Sequence, residues 1–181
     1  MIKVIDNSVI SSMGREIRSV KILPIVKSVY DVRLTAAVIV ECRNSKDKGL
    51  TESIDGLLFA IEEDSRFKQT VDMIRRVDLR LGLGEVNTIA ASIILTHNRI
   101  ENYAVIDDGL ARSAFKKILR NKTLVNEFGD SMSRVRITGT VGLINRLRTK
   151  GMLTSDQCNA IAKDLENSSF RISDELLDLL K

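Results

Sequence analysis

Residues 81–112 read LGLGEVNTIAASIILTHNRIENYAVIDDGLAR, and this stretch decides the fold class. Val86, Ile89, Ala90, Ile93 and Ile94 recur at helical spacing, which predicts an amphipathic helix over about residues 85–96. Glu85 lies four residues before Ile89, on the buried face of the first turn, so its carboxylate points toward whatever the helix packs on. After a polar break at residues 97–102, residues 103–106 read as a short buried strand. That strand ends in Asp107 and Asp108, and Gly109 opens a second helical pattern. Strand, acids, helix is the order of an α/β protein with its site at the carboxyl ends of parallel strands.

Further acids at such ends are therefore worth finding. Residues 2–5 form an apolar start broken only by Lys3, and they run into Asp6-Asn7-Ser8. Taken alone, Asp6 is as readily a helix cap as a catalytic acid. Pro24 disfavours one continuous helix across residues 20–32 and leaves room for a second strand there. The run LTAAVIVEC (residues 34–42) reads either as a strand or as a helix capped by Thr35; in both cases Glu41 closes an apolar segment. Residues 43–49 (RNSKDKG) are a polar loop, and Ile54, Leu57, Leu58 and Ile61 form a helical stripe interrupted by Gly56. Residues 67–79 carry Val71, Ile74 and Val77 without a decisive pattern.

Beyond the opening stretch, Leu110, Ala111, Ala114, Phe115, Ile118 and Leu119 mark a helix capped by Asp108, with Arg112, Lys116, Lys117 and Arg120 on its exposed side. Residues 121–133 read as a loop, and residues 135–138 as a short strand. Gly139-Thr140 leads into a helix that Gly151 can end. Thr154 to Gln157 fits a capping box, and Ser173 suits the cap of a last helix carrying Leu176, Leu177 and Leu180.

The 181 residues suit one domain with a core that needs no staples, here divided into residues 1–150 and a helical extension, residues 151–181, packed on it. Cys42 and Cys158 match no zinc or CxxC spacing and read as buried intracellular thiols. The opening MIKVIDNSVI lacks the features of a signal peptide, and no apolar run approaches a membrane span, so the expected location is the cytoplasm. Net charge is +4 overall, yet residues 109–150 hold ten Lys and Arg against two acids, a local +8 that begins directly after the acidic pair. Such a region is either a set of solvated helix faces or a nucleic-acid contact.

Asp6, Glu85, Asp107 and Asp108, with Glu41, each end an apolar element, and parallel strands would bring them together. Carboxylates about 4 Å apart at an effective dielectric of about 20 repel by about 4 kcal/mol per pair, so a cluster calls for shared protons or cations. With His97 as the one histidine, all-oxygen ligation by Mg²⁺ or Mn²⁺ fits better than zinc, and such ions support phosphodiester hydrolysis. The competing reading is a set of unrelated caps and surface acids. A Ser-His-Asp system would depend on His97, which has no nucleophile in a recognisable turn, and Gly82 and Gly84 make only a GxG. A haloacid-dehalogenase-type start would need an acid at position 8, where Ser8 stands.

The ordered set Asp6-Asn7-Ser8, Glu41, Gly84-Glu85, Asp107-Asp108-x-x-Ala111-Arg112 and Gly139-Thr140-Val141-Gly142 resembles the PIN-domain superfamily. It is most similar to the prokaryotic branch of predicted nucleic-acid-binding proteins close to the VapC toxins. The resemblance implies a three-layer α/β/α fold with a central parallel sheet and an endoribonuclease using Mg²⁺ or Mn²⁺. It assigns the catalytic acids to Asp6, Glu41, Glu85 and Asp108, the metal to Asp6, Glu85, Asp107 and Asp108, and supporting roles to Ser8 and Thr140. Arg112, Lys116, Lys117 and Arg120 become candidate nucleic-acid contacts, with RNA, an antitoxin protein and a second copy of the chain as partners. Two departures are the missing proline before Glu41 and the added residues 121–133. The rival from another class is a PIN-like module that binds nucleic acid or protein without cutting.

Overall fold

A computed structural model describes residues 1–45, 51–52, 54–168 and 173–180. Four strands form, β1 (Ile2–Ile5), β2 (Asp31–Arg33), β3 (Asn102–Val105) and β4 (Ile137–Thr138), in the order β2-β1-β3-β4 with every neighbour parallel. The chain leaves β1 to build one side of the sheet and then returns to its other side with β3. The strand order therefore reverses between β1 and β3, where doubly wound sheets open a crevice at their carboxyl ends. Ile2 pairs with Asn102 and Ile5 with Val105, so these two strands end level with each other.

Helices cover both faces. They are α1 (Asn7–Ser11), α2 (Ile22–Val29), α3 (Ala36–Asn44), α4 (Phe67–Val77), α5 (Leu83–His97), α6 (Gly109–Leu119), α7 (Lys122–Phe128), α8 (Thr140–Thr149), α9 (Ser155–Glu166) and α10 (Asp174–Asp178). Side chains alternate across a strand, so Ile5 and Val105 enter one apolar core while Val4 and Ala104 enter the other. The first core collects Val26, Val38, Leu143 and Ile161 from α2, α3, α8 and α9. The second collects Ile74, Ile89, Phe115 and Leu124 from α4 to α7. The result is a three-layer α/β/α architecture. Leu177 and Leu180, at the chain's end, join the first core. No helix among the described residues is long and apolar enough to cross a membrane.

Several local expectations give way to tertiary context. Pro24 lies in the first turn of α2, where its missing N–H is one the helix leaves unused, so it starts a helix that it would break further in. The LTAAVIVEC run is helical, with Thr35 in the extended N-cap conformation but making no side-chain cap bond. Residues 54–61 do not form the expected helix. Gly56 turns with φ 76°, and Leu57 and Phe59 exchange backbone bonds of 2.8 and 2.9 Å with Leu34 as an added parallel bridge. Residues 46–49 of the polar loop lie outside the described residues.

Residues 67–79 resolve into α4. Residues 121–133 are not a loop: Asn121 caps α7 through its side chain, and a 3-10 turn (Gly129–Arg134) follows. α5 is not a half-exposed amphipathic helix either, being buried from Val86 to Leu95 between the sheet, α3 and α4. Its polar members find partners inside: Ser92 donates to Asn102 at 2.5 Å and Asn87 to the Leu83 carbonyl at 2.8 Å. The Thr154–Gln157 capping box is present as expected.

α5 ends at Asn98, and Arg99 beyond it is the one non-glycine residue with positive φ, at 61°, among the described residues. A Cβ in this left-handed region is strained, and the position after a helix end is where glycine is favoured. Arg99→Gly is therefore expected to stabilise the protein by about 0.5–1 kcal/mol, offset in part by unfolded-state entropy. Urea unfolding would show a higher midpoint with an unchanged slope; a lower midpoint would refute the strain argument.

Candidate active site

The candidate site lies where the strand order reverses, and it is built by the residues that follow β1 and β3. Asp6 follows β1 directly, its backbone N–H bonded to the Val105 carbonyl at 3.0 Å, so it is held at the seam. It is also the N-cap of α1: its Oδ2 accepts from the Ser8 backbone N–H at 3.0 Å and the Ser8 hydroxyl at 2.7 Å. The two readings of Asp6 are thus compatible, because only one oxygen is used in capping. The other, Oδ1, is buried without a hydrogen-bond partner in a residue 2 % exposed. An orphaned carboxylate oxygen at that depth is costly unless a proton or cation meets it.

Glu41 reaches the same place from α3. Its Oε1 accepts from the Gly84 backbone N–H at 2.9 Å, at the start of α5. A Cβ placed on Gly84 would stand 2.6 Å from Glu41 Oε2 and 3.0 Å from Asp6 Oδ1. Both carboxylates therefore converge on one point over the bare glycine backbone, and any side chain there would intrude between them. Glu85 follows on α5, half-buried. Burial, then Asp6, Asp108 and Glu41, push its pKa up to about 7 against the bond from its own amide. Burial also raises Asp6 and Glu41, opposed by the Ser8 and Gly84 hydrogen bonds, with Asp108 raising Asp6 further and Asp6 raising Glu41.

At the end of β3 the two aspartates divide. Asp107 commits both oxygens to Thr140, accepting its backbone N–H at 2.8 Å and its hydroxyl, and so ties β3 to the start of α8. Its carboxyl is nonetheless raised by burial, with the Arg112 guanidinium acting in the opposite direction. Asp108 caps α6, Oδ1 accepting from the Ala111 N–H at 2.7 Å. Ser8 stitches the seam: its hydroxyl donates to Asp6 and accepts the Asp107 N–H at 3.3 Å. Asp6, Glu41, Glu85 and Asp108 thus feel one another, and Thr140 serves Asp107.

The basic residues are spread along α6. Arg112 stands beside Asp107 and Gly139 in the first turns. Lys116, Lys117 and Arg120 are exposed at the other end, about 12–18 Å along the axis from Asp108, and Lys117 acts on Asp78. His97 is remote from the acids at the last turn of α5, its ring set edge-on to Phe128 at 5.4 Å.

Two residues to which the sequence assigned no part in the site meet beside it. Asn7 accepts from the Cys42 thiol at 3.1 Å and thereby links α1 to α3 beside the two acids. Burial, Asp6 and Glu41 push that thiol up to about 11, while Arg15, on the π-helical turn Ser12–Glu16, pulls the other way. Neither residue has a spacing signal, because both depend on how α1 packs on α3.

Among the described residues no three His, Cys, Asp or Glu side chains form a ready ligand set for a metal ion. The donors still fit a hard divalent cation that keeps most of its waters and takes one or two carboxylates. Asp6 Oδ1 is free and buried, Glu41 Oε2 faces it, and every donor is oxygen. No protein-family model, curated protein or solved structure matches the chain.

An acid whose pKa is raised on folding holds its proton more tightly in the folded chain than in the unfolded one. Its contribution to stability is then lost as pH rises from the ordinary glutamate range near 4.5 through about 7. Glu85→Gln should be about as stable as the wild type at pH 4.5 and more stable at pH 8, by about 1 kcal/mol after allowance for solvent screening. Thermal or urea unfolding across this range measures it, and parallel curves for the two proteins would exclude mutual repulsion at Glu85.

Proposed function

We propose that this chain is a PIN-like, Mg²⁺- or Mn²⁺-dependent endoribonuclease. The observation that carries the reading is the buried, partnerless Asp6 Oδ1 facing Glu41 Oε2 across Gly84 at the switch point of the sheet. Asp6 and Glu41 would hold the ion, with Asp108 and Glu85 on its water side. A divalent cation there supplies charge for the phosphate oxygens and lowers the pKa of water.

The chain's own residues do the rest. Ser8 fixes the rotamer of Asp6, so that its second oxygen stays turned into the crevice. Glu85, with a pKa of about 7, exchanges a proton with the attacking water or the departing oxygen at neutral pH. Asp107 and Thr140 hold α8 against the end of β3 and so keep the crevice wall in position. Arg112 lies at the crevice, and Lys116, Lys117 and Arg120 continue the positive charge along α6 for a polymer backbone. The toxin role, with an antitoxin and a homodimer as partners, rests on the sequence resemblance.

Cleavage of mixed cellular RNA in Mg²⁺ or Mn²⁺ tests the reading. Asp6→Asn and Asp108→Asn keep shape while removing a negative charge, and each should lower cleavage by about 100-fold or more with folding intact. Gly84→Ala should act likewise, since its methyl displaces the Glu41 carboxylate, the movable end of a side chain, while helix propensity favours alanine. Wild-type melting temperature should rise with Mn²⁺ and that of Asp6→Asn should not. Metal-independent cleavage, or equal cleavage by wild type and variants, would sink the mechanism; a folded, Mn²⁺-stabilised wild type that binds RNA without cutting it would favour the binding-module reading.

Charge reversal of Lys116, Lys117 and Arg120 together should weaken RNA binding with little sequence preference and reduce its salt dependence. Unchanged affinity in that triple variant, measured by filter binding across a salt series, would remove α6 as the docking path.

A further inference from the structure

At the opposite, amino-terminal end of the sheet a second feature stands independently of the acids. A cavity of about 280 Å³ opens beside the starts of β3 and β4, lined by Arg99, Arg134 and Arg136 with Glu101, Asn102 and Ile100. Arg33–Asp31, Arg66–Asp64 and Arg80–Asp78 pair elsewhere, and among the described residues the carboxylate that acts on a lining guanidinium is Glu101, on Arg136. Glu101 is the one acid on the lining. The excess charge extends inward. Arg136 donates to the Tyr103 hydroxyl at 3.0 Å, and the Arg146 guanidinium carbon lies 4.1 Å from the same ring's centroid. On that ring also lies the Lys3 ammonium, 3.8 Å from the centroid, in a side chain with no exposed surface. Burial above all, then Arg146, brings the Lys3 pKa down to about 8, with Glu101 opposing.

We propose that this cavity binds a phosphate monoester. Three guanidiniums set against the single Glu101 carboxylate suit a phosphate dianion, whose oxygens accept paired N–H donors from the planar Arg fork. The volume is just below the range of pockets for drug-sized ligands, which fits a phosphate with one small group attached. The Tyr103 hydroxyl and ring hold Arg136 at the pocket, while Asn102 is tied by its side chain to Ser92, Thr96 and the Ile100 carbonyl and keeps the wall rigid. The monoester is either a free nucleotide or the phosphorylated end of an oligonucleotide.

The test uses the full chain and isothermal titration calorimetry at low ionic strength, with inorganic phosphate, adenosine 5′-monophosphate, adenosine, and one tetranucleotide in 5′-phosphorylated and 5′-hydroxyl forms. Arg99→Gly removes a lining cation and at the same time relieves the left-handed backbone strain, so any lost binding is not lost folding. Arg134→Gln removes a second, exposed one. Each should weaken phosphate-ligand binding about tenfold or more, while Lys163→Gln on α9 leaves it unchanged. Preference for adenosine monophosphate over adenosine identifies a free nucleotide; preference confined to the phosphorylated tetranucleotide over its hydroxyl form identifies a strand end. Absence of binding by every phosphate probe, equal binding of phosphorylated and unphosphorylated probes, or affinity unaltered in both arginine variants would overturn the proposal.

Discussion

The level, parallel pairing of β1 with β3 is the constraint on which the rest depends. Ile2 opposite Asn102 and Ile5 opposite Val105 put the next residues, Asp6 and the 107–108 pair, at the same edge of the sheet. Ser8 then closes the gap by bonding to Asp6 and to the Asp107 amide. A slip of one residue would turn Ile5 and Val105 out of one core and into the other, so hydrophobic burial enforces the register that gathers the acids. Core packing and site geometry are here one arrangement.

The acids are held at a cost that the surrounding structure bears. Burial raises Asp6, Glu41, Glu85 and Asp107 together, and most of them also feel Asp6. Hydrogen bonds relieve part of this: Ser8 serves Asp6, Gly84 serves Glu41 and Thr140 serves Asp107. What is left unrelieved is concentrated on Asp6 Oδ1 and on Glu85, the two groups with least local compensation. The proposed cation site rests on these two groups, because shifted carboxylates of this kind are more frequent at functional sites than elsewhere.

The two ends of the sheet are electrostatic opposites. Carboxylates collect where strands finish, and Lys3, Arg136 and Arg146 collect around Tyr103 where they begin. Four-residue strands span about 13 Å, so the two regions lie within one small domain yet are separated by a packed core.

From the sequence alone came the α/β class, the acids at strand ends, the Asp108 and Thr154 caps, and the helical span of α5, because each is a local pattern of apolar spacing or capping chemistry. Glu41 was legible only as the end of an ambiguous apolar run, since β-branched residues and alanines favour different structures until burial decides between them. Residues 54–61 and 121–133 were misjudged for the same reason. Gly56 at φ 76° and the Leu34 bridge replace a helical stripe, and the Asn121 cap with Leu124 and Phe128 in the core makes a helix of an apparent loop. Tertiary structure alone decided that Gly84 is the floor between Asp6 and Glu41, that Asp107 belongs to Thr140, and that Lys3, Arg99, Arg134 and Arg136 gather at the far end. These are contacts between elements far apart in the chain, set by strand order and register, and no local period in the sequence encodes them.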